Sequence, residues 1–180
     1  MSRPIRAEIC RSSLQHNLQR VRATAPNSKI MAVIKANAYG HGMARAAHAL
    51  HDADAFAVAS IEEAMHLRES GVHADIVLLE GMFSADELLL VQAYDVQLVV
   101  HCAEQVEWLE SAQVKKPIVI WLKLDTGMNR LGIDVLSYYS QPVREMVDSG
   151  LMKHTGEYIR LTRRGRLLSN EVFWRILPGN

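Results

Sequence analysis

At 180 residues, 49% of them apolar, with a formal net charge of zero, the chain is long enough for one sizeable core and gives no global electrostatic argument for nucleic acid or an acidic membrane as partner. Cys10 and Cys102 are too few and too far apart for a disulfide framework or a thiolate metal site; both read as buried small residues in a protein of a reducing compartment. No apolar stretch approaches membrane-spanning length and the N-terminal arginines precede no apolar segment, so a cytoplasmic protein is expected.

Up to about Asp134 short apolar runs alternate with amphipathic segments of helical length, the pattern of βα units around a largely parallel sheet. The expected strands are Met31 to Lys35, Ala55 to Ser60, Ile76 to Gly81, Gln97 to Cys102 and Ile118 to Asp125. Ser60-Ile-Glu-Glu63 and Ser84-Ala-Asp-Glu87 have capping-box spacing and predict helix starts, while Gly71 predicts a helix end. About five such units are present, fewer than the eight of a closed barrel, so the sheet should expose unpaired edges and be marginal, aggregation-prone or dependent on a partner.

Beyond Gly132 the pattern changes. Asp134 to Ser149 reads as a helix broken at Pro142, and Gly150 to Leu161 as a hairpin turning at Thr155 and Gly156. A last helix follows, with Thr162 as N-cap and an apolar stripe at Leu167, Leu168, Val172, Phe173, Ile176 and Leu177. The expected domains are therefore a βα portion over 1–133 and a winged-helix-like α+β tail over 134–180.

The chemistry centres on Lys35. It follows the apolar run Ile30-Met-Ala-Val-Ile34 and, on strand alternation, shares a face with Met31 and Val33. An amine emerging from an apolar surface is more easily deprotonated, and a neutral lysine forms a Schiff base with an aldehyde such as pyridoxal phosphate. Further on, Val119, Trp121, Lys123 and Asp125 alternate onto one face of an expected strand, with Arg130 in the loop beyond. A guanidinium there can hold a carboxylate bidentately. His41, His48 and His51 fall on one helical stripe, but no cysteine or carboxylate completes a ligand set and no metal is expected.

The string Ala32-Val-Ile-Lys-Ala-Asn-Ala-Tyr-Gly-His-Gly42 resembles the pyridoxal-lysine signature of the alanine racemase family. Arg3 to Ile9 with Leu14-Gln-His-Asn17 resemble the family's opening strand and first helix, Ala55 to Ala59 with Glu62-Glu-Ala64 its second βα unit, Val77 to Gly81 its third, and Trp121 to Arg130 a later strand and its loop, all in the family's order. Cys10 stands where that family usually has aspartate. The resemblance implies a partial (β/α) barrel of TIM type, pyridoxal 5'-phosphate as cofactor, and interconversion of L- and D-alanine for cell-wall synthesis. It implies that Lys35 carries the cofactor and serves as a base, that Tyr39 contacts the phosphate, that Arg130 lies beside the cofactor and the substrate carboxylate, and that Lys123 is a candidate for carbamylation. It also implies a homodimer, or a partner supplying the remaining barrel and the opposite-face base. A truncated chain with weak or no turnover is the expectation.

Gly150-Leu and Leu161-Thr-Arg-Arg-Gly-Arg-Leu-Leu-Ser-Asn-Glu-Val172 resemble the C-terminal end of coproporphyrinogen-oxidase-like radical SAM proteins. Two competing functions remain at this level. One is a pyridoxal-phosphate-binding protein without turnover. The other is an interaction or nucleic-acid module led by Arg160, Arg163, Arg164 and Arg166.

Overall fold

The computed structural model describes residues 7–125, 128, 130–134, 140–155 and 158–168. The chain divides into two compact units, Met1–Lys123 and Leu124–Asn180.

In the first unit a helix, α1 (Arg11–Thr24), precedes five strands: β1 (Met31–Val33), β2 (Ala55–Val58), β3 (Asp75–Leu78), β4 (Gln97–Val100) and β5 (Ile120–Leu122). All pair in parallel in the order β1-β2-β3-β4-β5, so sequence neighbours are spatial neighbours, as in a partial (β/α) barrel. The connections are made by α3 (Met43–Ala49), α4 (Ile61–Glu69), α5 (Leu88–Ala93), which a 3-10 turn at Ala85–Glu87 leads into, and α6 (Ala103–Ser111).

Strand alternation explains the core. Phe56, Val58, Ile76, Leu78 and Leu98 face the helices and pack with Ala46, Ile61, Ala64, Leu67 and Val91. On the opposite face Ala57, Val77 and Val99 form a second cluster with Met31 and Leu79. The central strands are thus buried on both sides, which is why they read as continuous apolar runs. The outermost strand differs: Ile120, Trp121 and Leu122 are each about half exposed. Edge exposure was the expectation for an unclosed sheet.

Every strand stops short of its expected C-terminal end. Lys35, Ser60, Gly81 and Cys102 all fall in the segments that follow strands. The expected strand through Asp125 also ends early, at Leu122; Leu124–Asp125 (β6) pairs instead with Ile133–Asp134 (β7) inside the second unit. Val119, Trp121, Lys123 and Asp125 therefore do not share one strand face. Of the expected opening strand, residues 7–9 carry no regular structure and the rest lies outside the described residues.

The helix starts correct another expectation. Ser60 and Ser84 make no side-chain cap bond. Ser60 instead hydrogen-bonds Glu62, which holds that carboxyl below its ordinary value. Glu63 and Glu87 reach one residue past the capping-box position, accepting from Ala59 N–H at 2.9 Å and Phe83 N–H at 3.1 Å. The end of α4 is as expected: Gly71 adopts φ +85°, Gly71 N–H donates to Arg68 O at 3.0 Å and Val72 N–H to Leu67 O at 3.1 Å. These are the two bonds of a Schellman motif, with Val72 and Leu67 in the same apolar cluster. Both cysteines correct the sequence reading, Cys10 being exposed and Cys102 half-buried.

The second unit has a helix at Ser140–Asp148, an antiparallel hairpin of Met152–Thr155 (β8) and Tyr158–Leu161 (β9), and a short helix at Arg163–Leu167. Val143, Met146 and Leu151 form its small core. Pro142 breaks nothing, because the helix begins at Ser140 and proline sits in the first turn, where no N–H is needed. Thr162 caps the last helix as expected, accepting from Gly165 N–H at 3.0 Å while donating to Gly150 O at 2.7 Å. The expected apolar stripe at Val172, Phe173, Ile176 and Leu177 and the turn at Gly156 lie outside the described residues.

Candidate functional site

Chain segments leaving the C-terminal ends of parallel strands converge on one face of the sheet, the face where barrel proteins place their chemistry. Lys35 lies there, two residues beyond β1. It begins a single turn, α2 (Lys35–Tyr39), that is wound left-handed: φ is 52° at Ala36, 52° at Asn37, 51° at Ala38 and 49° at Tyr39. Apart from Asn, these residues are poorly suited to that region, and each costs about 1 kcal/mol or more.

Hydrogen bonds hold the turn in place. Asn37 O accepts from Gly40 N–H at 3.2 Å and Gly42 N–H at 3.1 Å, and Asn37 Oδ1 accepts from Met43 N–H at 2.8 Å at the start of α3. Gly40 (φ +91°) and Gly42 (φ +87°) let the chain leave the turn. His41 Nδ1 lies 2.8 Å from Ala38 O. The carboxylate of Glu63, from α4, accepts from Ala36 N–H at 2.7 Å with one oxygen and from Ala59 N–H at 2.9 Å with the other.

The Lys35 ammonium pairs with Glu80 Oε1 at 3.4 Å, both side chains being part-exposed. Glu80 follows β3 and its backbone is fixed: Glu80 O accepts from Gln105 Nε2 at 3.0 Å and lies 3.0 Å from His101 Nε2. Gln105, only 3% exposed, also donates to Met82 O at 3.0 Å and accepts from His101 N–H at 3.0 Å. Gly81 is required here. Its φ is +67°, and a Cβ would lie 2.4 Å from Val99 O and 2.5 Å from Gln105 Nε2.

The other sequence candidates fall as follows. Tyr39 ends the left-handed turn with its side chain 71% exposed. Lys123 follows β5, its N–H donating to Val100 O at 2.8 Å, so it lies at the same strand ends as Lys35. Arg130 is exposed and belongs to the second unit. Glu63, Glu80, His101 and Gln105 were given no role on sequence. Glu80 sits two residues past the end of β3 and His101 one past the end of β4, positions that in a parallel barrel mark the reactive face.

A primary amine reachable from solvent and held by one carboxylate suits condensation with an aldehyde, so the residues present fit the reactive end of pyridoxal phosphate. The exposed Tyr39 hydroxyl, four residues on, is a donor suited to a phosphate.

Comparison with known proteins identifies the family. The family profile described as alanine racemase, N-terminal domain, matches residues 9–158. The alanine racemase of Vibrio cholerae serotype O1 is 54% identical over 179 residues, covering 96% of this chain and 50% of that protein. The crystal structure of biosynthetic alanine racemase from Pseudomonas aeruginosa superposes with a TM-score of 0.67 at 44% identity, covering 74% of this chain and 37% of that one. That of alanine racemase from Acinetobacter baumannii gives 0.67 at 32% identity, covering 93% and 51%. The chain thus spans about half the length, or less, of these relatives. The Vibrio match takes in most of the tail, and the tail's resemblance to radical SAM proteins finds no support. With a family profile over most of its length and solved alanine racemases of the same fold, the chain belongs to the alanine racemase N-terminal domain family.

Proposed function

We propose that this chain is the lysine-bearing part of a pyridoxal-phosphate-dependent alanine racemase, working in the cytoplasm and completed by a second copy or by further barrel sequence. The observation that supports it best is the Lys35 amine at the mouth of the parallel sheet, 3.4 Å from Glu80 and followed by a turn held in left-handed geometry. Pyridoxal phosphate, when bound, supplies an aldehyde for the amine and a conjugated ring that withdraws electrons from the α-carbon of an amino acid. Lys35 would hold that aldehyde, and its amine would serve as the base that takes or returns the α-proton on one face. Glu80 aims the amine. Tyr39 holds the phosphate, and Arg130 holds the substrate carboxylate with its planar fork. Lys123, at the end of β5, is the residue proposed for carbamylation. In this reading residues 1–133 form the barrel portion and 134–180 a winged-helix-like tail.

Proton exchange tests the reading. With pyridoxal phosphate and L-alanine in D₂O, NMR should show deuterium entering the α-position faster than with the cofactor alone, and chiral analysis should show little D-alanine. Substituting Lys35→Ala should return exchange to the cofactor-only rate. Exchange equally fast in Lys35→Ala would overturn the proposal.

A further inference from the structure

We infer that Glu63 is a positioning residue for Lys35, a carboxylate clamp that sets the direction of the amine by holding the peptide bond next to it. The inference rests on the cofactor reading above and names a residue to which that reading gives no role.

The peptide plane between Lys35 and Ala36 carries the Ala36 N–H, so the orientation of that N–H and the ψ angle of Lys35 are one variable. Glu63 Oε1 accepts this N–H at 2.7 Å. Its other oxygen accepts Ala59 N–H at 2.9 Å, one residue past β2. One side chain, 27 residues from Ala36 in sequence, therefore ties the segment after β1 to the segment after β2. Ile34 N–H donates to Ala57 O at 3.0 Å as the last sheet bond before the turn, and the other backbone hydrogen bonds from Lys35 to Met43 are local. They shape the turn without fixing it to its surroundings.

Strain makes the clamp necessary. Ala36 has φ 52° and ψ 48° without the freedom of glycine, and non-glycine residues persist in that region only where their surroundings hold them. Without Glu63, an exposed alanine would relax toward right-handed or extended geometry, turning the Lys35–Ala36 plane. The lysine would then lose its alignment with Glu80, and Tyr39 its place three residues on. A charged acceptor on two amides is also among the stronger hydrogen-bonding arrangements available. Glutamine can serve only one of the two amides, since its carbonyl oxygen accepts one N–H while its NH₂ would face the other donor with another.

The full chain is treated with pyridoxal phosphate, trapped with borohydride over a time course and mapped by peptide mass, with the exposed Lys115 in the same sample as internal reference. Amide hydrogen exchange is measured at Ala36 and Ala59. Glu63→Ala should lower the Lys35-to-Lys115 labelling ratio about tenfold or more, the loss expected when hydrogen bonds to a charged group are removed. Glu63→Gln should fall between Glu63→Ala and the native chain, and the two amides should lose protection together. Arg68→Ala, a destabilising change at the opposite end of α4, should leave the ratio unchanged. A folded Glu63→Ala chain with the native ratio would overturn the inference, as would Arg68→Ala lowering the ratio equally. Where Glu63→Ala does not fold, Glu63→Gln decides by the same criteria. A native chain without preference for Lys35 would refute the cofactor reading, while the paired amide exchange would still decide the clamp.

Discussion

The two ends of the parallel sheet are built on opposite principles. At the end where strands begin, Arg68 donates to Tyr94 O at 2.9 Å, Val72 O at 2.9 Å, Ala74 O at 2.7 Å and Asp95 O at 2.9 Å, stitching the ends of α4 and α5 to the approaches of β3 and β4. Four of its five N–H donors meet backbone carbonyls, and burial lowers the guanidinium's pKa without neutralising it. At the end where strands finish, the chain holds four successive non-glycine residues at positive φ, a part-exposed ion pair and a carboxylate clamp. One end satisfies backbone groups, and among the described residues there Asp95 (φ +51°) is the one non-glycine at positive φ. The other uses side chains to hold backbone that would relax if released, which is where reactive groups need a fixed geometry.

Substitutions can break this contrast. Arg68→Ala leaves four carbonyls without their donor and should cost about 3 kcal/mol or more of stability by urea denaturation, with labelling selectivity at Lys35 retained. Gly81→Ala places a Cβ against Val99 O and the buried Gln105 amide, so about 2 to 3 kcal/mol should be lost together with Lys35 selectivity. Equal loss of selectivity in both variants would erase the distinction between the ends.

Ala36→Gly relieves left-handed strain at an exposed site and should raise stability by up to about 1 kcal/mol while blurring the direction of Lys35. A thermal melt and the labelling ratio should therefore move in opposite directions. The smallest expected effects concern titration. Asp54 accepts from Ile30 N–H at 2.7 Å and Arg22 at 3.2 Å, and that backbone bond is the main cause of its lowered pKa. Its folded value lies below the ordinary 3.8, so its contribution is present above that pH and is lost as pH falls through the folded value. Asp54→Asn should flatten the acid limb of a stability-versus-pH curve. The exposed Cys10 thiol, lowered to about 7 chiefly by its hydrogen bond with Ser12, should alkylate fastest above neutral pH. Ser12→Ala should shift that midpoint upward.

How much the sequence showed depended on whether a signal was local. Apolar runs located β2, β3 and β4 because those strands are buried on both faces, but the runs overran their ends, since Ser60, Gly81 and Cys102 follow strands without continuing them. Gly71 marked a helix end because its conformation is set within a few residues. The serine and glutamate spacing at Ser60 to Glu63 indicated a helix start correctly, yet Glu63 serves an amide 27 residues away, a use that no local pattern encodes. Nor does Ala-Asn-Ala-Tyr announce a left-handed turn; tertiary bonds impose it against propensity. Lys35 stood out through its motif, whereas Glu80 became visible only when parallel pairing brought the end of β3 beside that of β1.

Site-resolved labelling tests the central claim most directly. Limiting pyridoxal phosphate, borohydride trapping and peptide mapping across Lys29, Lys35, Lys115, Lys116, Lys123 and Lys153 should place most of the label on Lys35, with little on the exposed Lys29, Lys115 and Lys116. Label spread over the lysines according to exposure would contradict the account.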